Sequence, residues 1–99
     1  YNMLRLAGLL SRKPQAQVRV FLMGDAALCA KSGQITPQGT YNIEAMFKPI
    51  LGNKGVVAAC GTCMEARGIT KDMLIEGIAK GTWDELADWT LWCDKIVDL

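Results

Sequence analysis

The chain contains no histidine, only three prolines and almost no net charge. Without histidine, a structural zinc site would need a second close cysteine pair beside the one at Cys60 and Cys63. Cys29 and Cys93 lie about thirty residues away on either side, so zinc fits poorly and no metal or other cofactor is expected. The formal charge is +1, with lysines, arginines and acids mixed along the chain. A nucleic-acid or polybasic membrane-binding role would leave an electrostatic footprint, and there is none. No apolar run approaches the roughly 20 residues a membrane helix needs, and no signal peptide is visible. Internal repeats and low-complexity linkers are missing as well.

What remains is the profile of one domain spanning residues 1–99. About half the residues (51%) are apolar, enough for a real core, though the surface-to-volume ratio at this length keeps stability modest. Four cysteines could in principle form a secreted disulfide framework. The alternation of apolar strands and amphipathic segments is wrong for one, so a cytoplasmic setting with reduced thiols is expected. In that setting a close cysteine pair is more often catalytic or metal-binding than structural.

A first helix opens the chain, with Met3, Leu6, Ala7 and Leu10 at helical spacing on one face. Pro14 ends it, and "QVRVFLM" (17–23) reads as a buried strand stopped by Gly24-Asp25. "AALCAKSG" reads as a short helix closed by Gly33, and "QITPQGT" as a loop punctuated by Pro37 and Gly39. A helix from Thr40 turns Ile43, Met46 and Phe47 inward until Pro49 kinks or ends it. "VVAAC" is a second strand. Thr70 is expected to cap a helix carrying Met73, Leu74 and Ile78, closed by Gly81. Thr82 with Glu85 forms a capping box for a last helix, "WDELADWTLWC", and "KIVDL" is expected as a final short strand. Strands separated by helical segments imply an α/β fold: parallel pairing, right-handed crossovers and helices on both faces of the sheet.

Ligands and reactive groups in such sheets gather at the carboxyl ends of strands, where Cys60 stands. A thiol there, followed by Gly61 and a helical turn, lies near unsatisfied backbone amides. Those amides, with Arg67 a few residues on, would favour thiolate over thiol. The plainer reading is that Cys60 is a small buried residue, as free cysteines often are. Cys63, three residues on, can close a disulfide with Cys60 if the turn allows. Cys60 begins the turn and is expected to be the accessible thiol, with Cys63 pointing partly into the core. "CGTC" matches a thioredoxin-type redox motif only weakly, since no tryptophan precedes it and no proline follows to supply a cis-proline loop. Cys29 and Cys93 sit in helical patterns and are expected to pack. Asp25 is expected to cap the segment that follows it. Trp89 can be packed, whereas Trp83 and Trp92 are hard to hide together and point to an interface.

Taken together, "VRVFLMGDAALCAKSGQITPQGTYNIE", "AACGTCMEARGIT", the "LIEGIAKGTWDELADWTLWCDKIVDL" tail and their spacing resemble the DsrE/DsrF-like family of sulfur-relay proteins. The most specific piece is the cysteine eight residues before the glycine of Arg67-Gly68. The resemblance implies that this residue, Cys60, carries sulfur as a persulfide. It also implies a three-layer α/β/α fold with a mainly parallel sheet, a cytoplasmic location, and homo-oligomers such as trimers or hexamers. Cys63 stands where sulfur-relay subunits carry a small residue. Family members also place a strand and loop ahead of the first helix, which this sequence lacks. The sequence is then a fragment or a late start, expected to leave a sheet edge and apolar surface uncovered.

These readings combine into a sulfur-carrier or sulfurtransferase-like expectation. Cys60 takes sulfane sulfur from a donor protein and passes it to a partner thiol, and Arg67 steadies the thiolate. Cys63 can attack the inner sulfur, expel sulfide and leave a Cys60–Cys63 disulfide. The alternative is a non-catalytic oligomeric scaffold whose thiols only pack.

Overall fold

Three short strands order the structure, a computed structural model that describes residues 2–34 and 42–98. They are β1 (Arg19–Leu22), β2 (Val56–Cys60) and β3 (Ile78–Gly81), paired in parallel in the order β1-β2-β3. Val20, Val57 and Ile78 lie side by side across the sheet, as do Phe21, Ala58 and Ala79. Side chains alternate between the faces of a strand, so this register sorts the sheet into two surfaces.

Val20, Leu22, Val57, Ala59 and Ile78 belong to the core face, together with Phe47, Ile50 and Met64. Phe47, Ile50 and Met64 are fully buried, and removing such a side chain from water contributes about 1.5–3 kcal/mol. The helices on this side are α1 (Asn2–Ser11), α2 (Ile43–Met46), α3 (Lys48–Gly52) and α4 (Gly61–Ala66), with a 3-10 segment over Gly24–Ala30. Phe21 and Ala58 point to the opposite face. There Trp89 of α5 (Trp83–Trp92) meets Phe21 edge-on, with ring centroids 5.8 Å apart. Helices on both sides of a parallel sheet make the expected α/β/α arrangement.

Several elements follow the sequence pattern. Pro49 sits in the first turn of α3, so the chain kinks between α2 and α3 at Phe47, where a missing amide hydrogen is harmless. The Thr82 hydroxyl accepts from the Glu85 amide at 3.1 Å and starts α5 as a cap should. The expected loop over Pro37 and Gly39, and the helix start at Thr40, lie outside the described residues.

Other expectations are corrected. Helix α1 exists but buries Leu4, Ala7, Gly8 and Ser11, leaving Leu6 and Leu10 exposed. Its small residues lie against α3: Gly8 faces the Pro49 ring, and Ser11 turns its hydroxyl back onto the Gly8 carbonyl at 2.7 Å. Close helix approach thus selects the small face over the leucine-rich one. No helix runs from Thr70 to Gly81. A single 3-10 turn (Lys71–Met73) gives way to β3. Leu74 is extended and bridges to Lys31, the Ile75 amide donates to the Ala30 carbonyl at 2.8 Å, and Gly77 adopts φ +96. Those tertiary pairings outweigh the helical spacing of Met73, Leu74 and Ile78. The expected strand at "KIVDL" is absent from the described residues 95–98. Among the described residues, no helix is long and apolar enough to cross a membrane.

Candidate functional site

Cys60 ends β2 and is the residue from which α4 starts. Strand alternation assigns it to the Ala58 face, and its register partner is Gly81. The fit around it is close. A β-carbon on Gly61 would come within 2.9 Å of the Lys80 side chain and 3.0 Å of the Gly81 carbonyl oxygen. One on Gly81 would meet Phe21 at 2.8 Å and Ala58 at 3.1 Å. Glycine at both positions lets β3 close against the turn, and Cys60 is left only 1% exposed.

Burial pushes the Cys60 thiol up, because the apolar surroundings disfavour the anion. The Thr62 hydroxyl, the Cys63 thiol and the backbone amides of Cys63 and Thr62 oppose it and prevail, holding the group below the ordinary 9.0. Thr62 Oγ1 lies 3.3 Å from the sulfur. A thiol shifted towards its anion is suited to acting as a nucleophile.

Both thiols are free; Cys60, expected to be the accessible one, is instead sealed, while Cys63 is half-buried and packs partly against the core cluster as expected. The turn directs the first thiol into the packed strand end and leaves the second half-buried beside the core cluster. Cys63 Sγ accepts from the Gly24 amide at 3.2 Å. Gly24 adopts φ +59, the left-handed region that suits glycine.

Arg67 is near the pair but does not turn to Cys60. It donates to the Cys63 carbonyl at 3.1 Å and, through Nε and Nη2, to Asp25 Oδ1 at 3.2 and 2.8 Å. Asp25 therefore pairs with Arg67; the expected cap bond is not made. Its side chain is 91% exposed, so the ion pair adds little stability. Its structural effect is to clasp α4 to the 3-10 segment beside Cys63. A second surface pair, Lys80 to Glu65 at 3.0 Å, joins β3 to α4.

Cys29 packs against the core cluster, and Cys93 leans its sulfur towards the Thr90 carbonyl at 3.4 Å. Among the described residues, no three His, Cys, Asp or Glu side chains are placed to hold a metal ion. Sequence reasoning missed Thr62, Gly24 and the pairing of Asp25. Thr62 sits inside the "CGTC" motif and could have been noticed as a local donor. Gly24 is 39 residues from Cys63, and only the fold brings them together.

The sequence matches the DsrE/DsrF-like family over residues 1–99. It is 40% identical over 98 residues to the protein YchN of Escherichia coli (strain K12), an alignment covering 98% of this chain and 83% of that one. An uncharacterized protein of Methanocaldococcus jannaschii is 31% identical over 97 residues, again covering 98% and 83%. The crystal structure of the E. coli ychN protein superposes with a TM-score of 0.89 at 39% identity, covering 99% of this chain and 84% of the other. Sequence and backbone agree, and the chain belongs to the DsrE/DsrF-like family.

Proposed function

We propose that this protein is a sulfur carrier in which Cys60 accepts sulfane sulfur as a persulfide and passes it to a partner thiol. The observation that carries the reading is the environment of Cys60. The thiol ends a central parallel strand at the start of a helical turn, with the Thr62 hydroxyl 3.3 Å from its sulfur, and its ionisation is shifted towards the anion. Loading a persulfide requires that anion as the attacking group. Membership of a family generally associated with sulfur relay supports the same chemistry. Cys63, within reach of Cys60, is the second reacting thiol. Arg67 holds the Cys63 carbonyl and Asp25, and so positions α4 instead of steadying the Cys60 anion directly.

The chemistry needs a donor and an acceptor protein with thiols of their own, and a reducing compartment such as the cytoplasm, where free thiols persist. The test is incubation with a sulfane donor followed by mass measurement. Wild type should gain the mass of one sulfur atom, held at Cys60 in the peptide map, and Cys60→Ser should retain no stable adduct.

A second reading is favoured by the apolar side chains left open on α5 and the segment after it. Trp83 is 56% and Leu91 87% exposed, a surface that suits assembly into an oligomeric scaffold whose cysteines only pack. If no cysteine takes up sulfur while the protein assembles normally, that reading replaces the first.

A further inference from the structure

Resting on the carrier reading of Cys60, we propose that Cys63 is the entry thiol, which takes sulfur from outside and passes it inward to Cys60. The two sulfurs divide access and storage between them. Cys60 is 1% exposed at the bottom of a turn closed by Gly61 and Gly81. Exchange at sulfur requires the attacking, central and leaving sulfurs to line up, so a donor must bring its whole S–S bond to the nucleophile. An external donor has no such approach to a sealed sulfur. Cys63 is half-buried and so still partly open to it, and it lies three residues on from Cys60 in the first turn of α4.

Cys63 is also held in place from outside its own helix. The Gly24 amide meets its sulfur at 3.2 Å, and Arg67 ties its carbonyl to Asp25 of the same 3-10 segment. The half-buried thiol is thus oriented by the Gly24–Ala30 segment, while the sealed thiol is oriented by Thr62 and the turn itself.

The relay balances without an added oxidant or reductant. The Cys63 thiolate attacks the outer sulfur of the donor persulfide. A new S–S bond forms at Cys63, the donor's S–S bond breaks, and the donor leaves as a thiolate that takes up a proton. The Cys60 thiolate then attacks the outer sulfur of the Cys63 persulfide. The bond to Cys60 forms, the bond to Cys63 breaks, and Cys63 leaves as a thiolate that collects the proton Cys60 gave up. One zero-valent sulfur has moved inward, out of reach of bulk reductants. Discharge to an acceptor runs the same two steps in reverse.

The test uses the folded wild-type, Cys63→Ser, Cys63→Ala and Cys60→Ser proteins, with matched far-ultraviolet spectra. Each is mixed with glutathione persulfide, quenched with an alkylating reagent at increasing times, and mapped by peptide mass. The relay expects the adduct on Cys63 first and on Cys60 later in wild type. It expects Cys60 loading slowed by about tenfold or more in both Cys63 variants, because the accessible attacking thiol is gone. In Cys60→Ser it expects a short-lived adduct on Cys63. Loading of Cys60 at the wild-type rate in the Cys63 variants would overturn the entry role and leave the carrier reading standing. So would sulfide released from wild type in step with a Cys60–Cys63 disulfide, which would make Cys63 a resolving thiol. An adduct that stays on Cys63 in wild type and never reaches Cys60 would defeat the carrier reading itself.

Discussion

At the scale of single residues, the donor set around Cys60 makes a pH-dependent claim. Its thiol is held below 9.0 with Thr62 the foremost lowering influence, so Thr62→Val should move the midpoint of the loading rate to higher pH. Appearance of the adduct on Cys60 at neutral pH should slow several-fold, read by peptide mapping across a pH series; an unmoved midpoint would show that the hydroxyl does not act on the sulfur. The same ionisation links to folding. A folded-state value below the unfolded 9.0 contributes stability that is fully present above pH 9.0 and is lost as pH falls through the folded value. Urea midpoints of wild type should therefore rise with pH across that window, and Cys60→Ser should flatten the rise. Gly81→Ala tests the packing that seals the sulfur. Its new methyl would press on Phe21, Glu85 and Ala58 at 2.8–3.1 Å, and overpacking of this kind costs about 1–3 kcal/mol. A variant as stable as wild type would mean that β3 can shift outward and that Cys60 is less confined than it looks.

The elements were legible where their signals are local, as in the β1 and β2 runs, the Pro49 kink and the Thr82 cap. They misled where a tertiary contact decides between conformations of similar local merit. The Thr70–Gly81 segment has helical spacing and strand-forming isoleucines, and the bonds from Ile75 to Ala30 and from Lys31 to Leu74 select extension. In α1 the leucines promised a core face, yet the small residues won because they admit α3. Helix α5 has no buried residue and depends on a few anchors. Arg19 lies over Trp92 with its guanidinium carbon 3.8 Å from the ring centroid, and 5.6 Å from that of Trp89. Thr82→Ala should cost about 1 kcal/mol through the lost cap, and Arg19→Ala a further 0.5–1 kcal/mol or so through the lost cation–π contacts. Thermal unfolding followed by tryptophan fluorescence reads both. Losses confined to the fluorescence transition, with helix content unchanged, would locate the effect in the docking of α5 and not in its formation.

For the molecule as a whole, the question is what covers its apolar surface. Leu91 is 87% exposed and Ile96 66%, with Trp83, Trp92 and Val97 close behind. Among the described residues, strands β1 and β3 are both edges of the three-stranded sheet, and edges with apolar neighbours favour pairing between chains. We expect the protein to assemble with copies of itself, as trimers or hexamers. Multi-angle light scattering at micromolar concentration should give a multiple of the 10.8 kDa chain mass, and Leu91→Lys should shift it towards the single-chain value without loss of fold. A wild-type protein of one chain's mass would remove the assembly expectation and leave the thiol chemistry to be judged alone.

The sequence by itself determined the α/β class, the parallel sheet and the place of Cys60 at a strand end. Those depend on hydrophobic spacing and on residues close together along the chain. It also carried the "CGTC" pair, because a three-residue spacing places two thiols in one turn whatever surrounds them. Only the tertiary structure decided which of those thiols is sealed and which stays partly open. That depends on Gly81 lying beside Cys60, and on the 3-10 segment crossing the turn to set Gly24 against Cys63 and Asp25 against Arg67. Contacts across 39 and 42 residues have no local signature in the chain. They exist because parallel pairing brings the carboxyl ends of β1 and β2 to the same edge of the sheet, where the segments leaving both strands must pack against each other.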